Sequence, residues 1–124
     1  MEPVIQLRAI VELLLRFHYR FATEQALRDG IAEVLTAGNF TFEREFIASA
    51  SERFDFLVVP GIVIEAKVDG SLSTALYQVD RYAALPDVRA VLLASTCRWA
   101  DTTVLPDRLR GKPLRLVHLH GAAF

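Results

Sequence analysis

The feature that most constrains this chain is residues 55–67, where two apolar, β-branched runs flank a Pro-Gly pair. Such runs on either side of Pro-Gly predict a β-hairpin. The second strand ends in Glu65 and Lys67, and side chains two residues apart on a strand lie on one face. Charges beside an apolar core are costly unless they pair or bind a ligand. The end of this hairpin, whose first strand begins at Asp55, is therefore the candidate functional site.

The register of the hairpin decides whether its two carboxylates can meet. Opposed residues of an antiparallel pair lie on one face, so Asp55 and Glu65 meet only if paired positions add to an even number. A two-residue Pro-Gly loop would instead set Asp55 opposite Ala66. We therefore predict a three-residue loop, a bulge, or an Asp55 that leaves the regular ladder.

An N-terminal helix is predicted over residues 4–17, because apolar residues recur there at helical spacing. Its stripe consists of Leu7, Ile10, Val11, Leu14 and Phe17. Further apolar residues lie outside the stripe, which predicts that the helix covers a second surface, such as another subunit.

A second helix is predicted from an N-cap at Thr23 to about Ala37, with Leu27 and Ile31 in its apolar stripe. Glu24 extends that stripe toward the N-terminus, so its carboxylate faces inward. One interpretation is compensation of the helix dipole. The other is a functional acid directed at the hairpin end.

The remaining elements follow from alternation, caps and prolines. Residues 40–47 alternate as a half-buried strand, which places Phe40, Phe42, Arg44 and Phe46 on one face and makes 40–67 an antiparallel three-stranded meander. A third helix is predicted over about 73–85, capped by Ser71 or Ser73. Two more strands are predicted at 88–94 and 114–120.

The charge balance is uneven along the chain. The net charge is −1, which does not favour a nucleic-acid partner. Residues 98–124, however, carry five basic residues against two acidic ones. The single cysteine excludes an internal disulfide. His118 and His120 lie on one strand face, as a metal pair or as solvated side chains. The chain shows no secretory signal and no membrane-length apolar run, so a cytoplasmic protein is expected.

Two motifs together carry a family resemblance. Asp55 followed by Glu65-Ala66-Lys67 resembles the motif of the PD-(D/E)XK nuclease superfamily. Gln78 and Tyr82, on the next predicted helix, fit the Gln-x-x-x-Tyr motif of its RecB and lambda-exonuclease-like branch. The alternatives without a function are an exposed ion pair between Glu65 and Lys67 and an ordinary polar helix face at Gln78 and Tyr82.

The resemblance implies an α/β (α+β) fold with a restriction-endonuclease-like α-β-β-β-α-β core, a mixed central sheet and flanking helices. The whole chain, 1–124, would be one nuclease-like domain. Its core would span about 23–95, helix 4–17 would be an addition, and 96–124 would form a basic extension with an extra strand.

The implied activity is Mg²⁺-dependent hydrolysis of phosphodiester bonds in nucleic acid, with DNA the expected substrate and Mn²⁺ an expected substitute. Asp55, Glu65, the Ala66 carbonyl and Glu24 would hold the ion through hard oxygen atoms. Lys67 would orient the attacking water and offset developing charge.

Gln78 would contact Lys67, the water or the substrate. Ser71 and Arg81 are expected at the substrate, and Tyr82 would either meet the nucleic-acid backbone as well or brace Gln78. A homodimer or a partner-dependent assembly is expected, with no membrane partner. The alternative function is a catalytically inactive nucleic-acid-binding or accessory module with the same fold.

Overall fold

The computed structural model describes residues 2–121, which contain four helices and six strands. In chain order these elements are α1 (Pro3–Leu14), α2 (Glu24–Ala37), β1 (Phe42–Ile47), β2 (Arg53–Val58), β3 (Ile62–Lys67), α3 (Leu72–Ala83), β4 (Ala90–Ser95), α4 (Trp99–Thr102), β5 (Arg108–Leu109) and β6 (Lys112–His118). No helix within this part of the chain is long and apolar enough to cross a membrane.

The strands form one mixed sheet in the order β1-β2-β3-β4-β6-β5. The first three are antiparallel neighbours, which confirms the predicted meander. Strands β3, β4 and β6 run parallel, and β5 pairs with β6 in the antiparallel sense. The predicted α/β class with a mixed central sheet is therefore confirmed.

Helices cover both faces of the sheet. On one face α1 and α2 pack through residues such as Leu7 and Leu27 against Ile64. On the other face α3 packs Val79 and Tyr82 against the sheet. Every residue of β4 is buried, as expected for a strand with a parallel neighbour on each side.

Two helices begin at the residues that the sequence indicates. The Thr23 hydroxyl accepts a hydrogen bond from the Ala26 N–H (3.0 Å) and starts α2. The Ser71 hydroxyl accepts one from the Thr74 N–H (3.1 Å) and starts α3, so Ser71 rather than Ser73 is the cap. These bonds satisfy N–H groups that the first turn leaves without a partner.

The N-terminal helix is shorter than predicted. It ends at Leu14 rather than at residue 17, and Phe17 is largely exposed instead of continuing the buried stripe. The chain turns out of the helix because the buried Tyr19 hydroxyl donates to the Leu14 carbonyl (2.7 Å), an acceptor that a continuing helix would use.

The prediction that Phe42 and Phe46 lie on one face of β1 is also wrong. Phe42 packs on the face covered by α1 and α2, whereas Phe46 packs on the face covered by α3. Between them Glu45 has φ of 50°, in the left-handed region. This local break in the alternation turns the end of β1 over.

The C-terminal segment contains two elements that the sequence did not indicate, α4 and β5. Strand β6 begins two residues before the predicted strand, because Lys112 and Pro113 pair with β5. The predicted strand starts directly after Pro113, because proline has no N–H to donate to a strand neighbour, whereas the observed strand includes it. The turn between the two strands uses Arg110 and Gly111, both with positive φ (52° and 76°). Strand β4 likewise begins and ends later than the predicted 88–94.

Candidate functional site

The site is built at the carboxyl end of β3, where Glu65 and Lys67 are two residues apart and so lie on one side of the strand. Glu65 is 3% exposed, and its Oε2 atom lies 3.2 Å from the Lys67 Nζ. The other carboxylate oxygen, Oε1, is buried and has no hydrogen-bond partner among residues 2–121. A buried carboxylate with an unused oxygen is costly unless it is protonated or binds a cation.

Asp55 is brought to this point by the hairpin register. Val58 pairs with Ile62, so the loop has three residues and the paired positions add to an even number. The ladder stops at Phe56 and Ile64, and Asp55 leaves it, with its Oδ2 atom accepting a hydrogen bond from the Ala66 N–H (2.8 Å). Of the three predicted alternatives, the three-residue loop and the departure of Asp55 from the ladder are both present.

Helix α2 contributes the third carboxylate from its first turn. Glu24 Oε1 lies 4.0 Å from the Lys67 Nζ. The Thr23 cap fixes the start of the helix and so places Glu24 above the end of β3. Its inward direction agrees with the prediction of an acid aimed at the hairpin, although its position in the first turn also suits the helix dipole.

Arg28 is the site residue that sequence reasoning missed. Its Nη1 atom lies 3.5 Å from Asp55 Oδ1 and 3.9 Å from Glu24 Oε2. Its Nε atom is buried without a partner in the described chain. The available indication was spacing, because a residue four positions after Glu24 lies on the same side of a helix.

Burial and charge repulsion shift the titration of the two hairpin carboxylates. Burial, and secondly the charge of Asp55, raise the pKa of Glu65 from 4.5 to about 8. Burial also raises the pKa of Asp55, against the Ala66 N–H, Arg28 and Lys67, which lower it. Three carboxylates share two cationic side chains, so one negative charge is left without a counter-charge when all are ionised.

Helix α3 braces the site through the two residues of its motif. The Gln78 Nε2 atom donates to the Tyr82 hydroxyl (2.8 Å), which donates to the Arg53 carbonyl (2.8 Å). Burial first, and then the charge of Glu65, raise the pKa of Tyr82 above its usual range. Tyr82 is 1% exposed, and this places it behind the site as a brace.

The other residues expected at the substrate lie at the rim. Ser71 caps α3, and its hydroxyl is occupied by that role. Arg81 is exposed and pairs with Glu52 (2.9 Å). The histidine pair lies outside the site: the rings of His118 and His120 meet edge to face with centroids 4.9 Å apart, and β6, which ends at His118, is two strands away from β3.

The donor set suits a hard divalent cation, although it is not preassembled. Among residues 2–121, no group of three or more His, Cys, Asp or Glu side chains is arranged to hold a metal ion. The carboxylates of Glu24, Asp55 and Glu65 face Arg28 and Lys67 instead. Carboxylate and carbonyl oxygens are the ligands that Mg²⁺ takes, and the unpartnered Glu65 Oε1 is available to one. The residues therefore fit the ion, provided that Arg28 releases Asp55.

Comparison with known proteins returned no match among family models, curated proteins or solved structures.

Proposed function

We propose that this protein is a metal-dependent nuclease of the PD-(D/E)XK type, which hydrolyses phosphodiester bonds of nucleic acid, with DNA the expected substrate, in the cytoplasm. The observation that carries the proposal is the meeting of Asp55, Glu65 and Lys67 at the end of β3. Three such groups in the low-dielectric margin of a core have a cost that a bound cation would offset.

Two further observations support the superfamily. The elements α2, β1, β2, β3, α3 and β4 follow the order expected of a restriction-endonuclease-like core. The motif residues Gln78 and Tyr82 are hydrogen-bonded to each other directly behind Glu65. A polar helix face with no role would not need both residues to turn inward.

In this proposal the ion is Mg²⁺, or Mn²⁺ in its place, held by Asp55, Glu65, the Ala66 carbonyl and Glu24. When bound, it would supply positive charge to the phosphoryl oxygen and lower the pKa of a coordinated water. Lys67, held beside Glu65 at 3.2 Å, would direct the attacking water and offset the charge that develops on the phosphate. Tyr82 and Gln78 would keep the start of β2 and Glu65 in place.

The alternative, a nucleic-acid-binding or accessory module without catalysis, is favoured by one specific observation. Arg28 already supplies a positive charge between Glu24 and Asp55, so the cluster has a counter-ion without metal. A permanent ion pair of this kind would leave no need for a divalent cation.

Cleavage separates the two functions. The purified protein is incubated with plasmid, linear and branched DNA, and with RNA, in Mg²⁺ and in chelator. The nuclease proposal expects cleavage of at least one substrate in Mg²⁺ that is absent in chelator and in the Glu65→Gln variant. Metal-independent binding with no cleavage of any substrate would favour the module.

An assembly is proposed from exposed apolar residues of α1 and of its C-cap, Leu15. Ile5 and Leu15 are 55% and 48% exposed, although the buried stripe of the same helix packs on the sheet. We expect light scattering to detect a homodimer or larger complex, and Ile5→Glu with Leu15→Glu to dissociate it. A strict monomer at high concentration would contradict this.

A further inference from the structure

Three arginines from different elements converge on one cleft far from the carboxylates. Arg8 of α1, Arg108 of β5 and Arg115 of β6 line a cavity of about 330 Å³. Asp107 is the acidic residue in its lining, so the cleft carries a net positive charge. The rest of its lining includes Val4 and Pro113, which are half-buried and give the cleft an apolar wall.

All three arginines are exposed, so their guanidinium charges are accessible to a ligand. Among residues 2–121 none of them forms an ion pair, whereas Arg28, Arg44, Arg81 and Arg110 all do. Arg108 donates to the Gly111 carbonyl (3.0 Å), which orients its side chain without cancelling its charge. Like charges gathered in a concave site repel one another, and an anionic ligand would remove that cost.

The shape and chemistry of the cleft favour phosphate groups attached to an organic unit. Guanidinium forks match phosphate oxygens in bidentate geometry. An apolar wall beside an arginine rim suits the base or sugar of a nucleotide, because guanidinium groups and apolar side chains also contact bases. A bare inorganic anion would make no use of Val4 and Pro113.

We propose that the cleft of Arg8, Arg108 and Arg115 binds the phosphodiester backbone of a nucleic-acid strand as a second contact, apart from the carboxylate site. The proposal rests on nucleic acid being the substrate, as proposed above. It gives a role to the basic excess of residues 98–124, of which Arg110 pairs with Asp80 and Lys112 donates to the Leu85 carbonyl.

The cleft is separated from the carboxylates along and across the sheet. Lys67 is level with Ser95 of β4 and, through it, with His118 of β6. Leu114 lies four residues before His118, roughly 13 Å along the strand, and β6 lies two strands from β3, roughly 10 Å across. Variants of the cleft should therefore leave divalent-ion binding unchanged.

The test is the polarisation of a fluorescent single-stranded oligonucleotide, titrated with the protein in Ca²⁺ at several salt concentrations. The triple variant Arg8→Gln, Arg108→Gln, Arg115→Gln is expected to bind at least about tenfold more weakly. Its plot of log affinity against log salt should be shallower by about 2, since each phosphate contact on a single strand contributes about 0.7. A matched control replaces Arg16, Arg20 and Arg89, which are also exposed, and should behave as the wild type.

Four competitors identify the ligand. Unlabelled oligonucleotide should displace the probe, whereas inorganic phosphate, a mononucleotide and polyglutamate should do so only at far higher concentrations. Displacement by phosphate or mononucleotide as effective as that by oligonucleotide would assign the cleft to a free phosphate compound and overturn the proposal. Effective displacement by polyglutamate would overturn it in favour of an acidic protein partner.

The two proposals fail in different ways. Equal oligonucleotide binding by the wild type and the cleft variant would overturn the cleft and leave the nuclease untouched. Weaker binding by the cleft variant, in a wild type that cleaves no substrate with Mg²⁺, would support the cleft and overturn the nuclease. A wild type that binds no oligonucleotide would overturn both.

Discussion

The Nη1 atom of Arg28 lies 3.5 Å from Oδ1 of Asp55, inside the cluster of carboxylates at the end of β3. A metal ion at Asp55 and Glu24 would have to compete with this guanidinium, which also lies 3.9 Å from Glu24. The same contact offsets repulsion between carboxylates in the metal-free protein. Arg28 should therefore oppose metal binding and support the metal-free fold.

Replacing Arg28 should change metal affinity and stability in opposite directions. Arg28→Gln is expected to bind Mn²⁺ at least about tenfold more tightly, because unit charges about 4 Å apart interact by several kcal/mol at an effective dielectric constant of about 20. In chelator the same variant should melt at a lower temperature. Calorimetric titration and melting curves check the two effects. The control is Arg44→Gln in β1, which breaks an exposed ion pair with Asp29, a residue of α2 like Arg28. This variant should change neither the Mn²⁺ affinity nor the melting temperature. Unchanged or weaker Mn²⁺ binding by Arg28→Gln would contradict the competition.

Glu65 should make the metal-free protein less stable as the pH rises. Its pKa is raised from 4.5 to about 8 on folding, so the folded state holds the proton more tightly. The stability from this group is fully present below pH 4.5 and is lost as the pH rises to about 8, by at most about 1.4 kcal/mol per pH unit. Asp55, whose pKa is also raised, acts in the same direction.

The effect is measured as the difference between wild type and Glu65→Gln in urea unfolding with chelator, from pH 4 to pH 9. The amide cannot ionise, so the unfolding free energy of the variant should rise relative to that of the wild type as the pH increases across this window. A constant difference between the two proteins would show that Glu65 does not hold a proton in the folded state.

Lys67 should be needed for cleavage and not for metal binding. Its ammonium group pairs with Glu65 and Glu24 and is not itself a ligand. Lys67→Ala is expected to lower the cleavage rate about a hundredfold or more, as loss of a group that stabilises developing charge does. Ca²⁺ or Mn²⁺ should still bind at least as tightly as in the wild type. Cleavage at the wild-type rate in Mg²⁺ would remove Lys67 from the mechanism.

The hydroxyl of Tyr82 should stabilise the fold through two hydrogen bonds. Tyr82→Phe leaves the Arg53 carbonyl without its donor and Gln78 without its acceptor. The expected loss is about 1–3 kcal/mol of unfolding free energy in urea titrations. Tyr77→Phe, at a 74% exposed position on the same helix, should cost almost nothing. Equal losses in the two variants would mean that the hydroxyl of Tyr82 does not brace the site.

The hairpin site was predictable because its determinants are local. The apolar runs predict the hairpin, and the Glu-x-Lys spacing places both charges on one side of its second strand. Pairing parity then lets Asp55 and Glu65 meet only if the loop has three residues or the ladder is broken, and both are present. The two helix caps are also local, since each is a hydroxyl three residues before the N–H that it accepts from.

Other features depend on contacts between distant parts of the chain. Arg28 reaches Asp55 only because α2 packs over the end of the hairpin, and no periodicity within α2 indicates that partner. The early end of α1 depends on Tyr19. The left-handed backbone at Glu45 turns Phe46 to the second core, against the regular alternation of the sequence.

The most direct test of the proposed metal site is a set of melting curves for wild type and Asp55→Asn, each in chelator and in Mn²⁺. Burial raises the pKa of Asp55, so its charge opposes folding, and the amide should raise the melting temperature in chelator. With Mn²⁺ a hundredfold above its dissociation constant, the wild type should gain about 2.7 kcal/mol and Asp55→Asn almost none. A lower melting temperature for Asp55→Asn in chelator, with no shift of either protein by Mn²⁺, would mean that these carboxylates serve only ion pairs with Arg28 and Lys67.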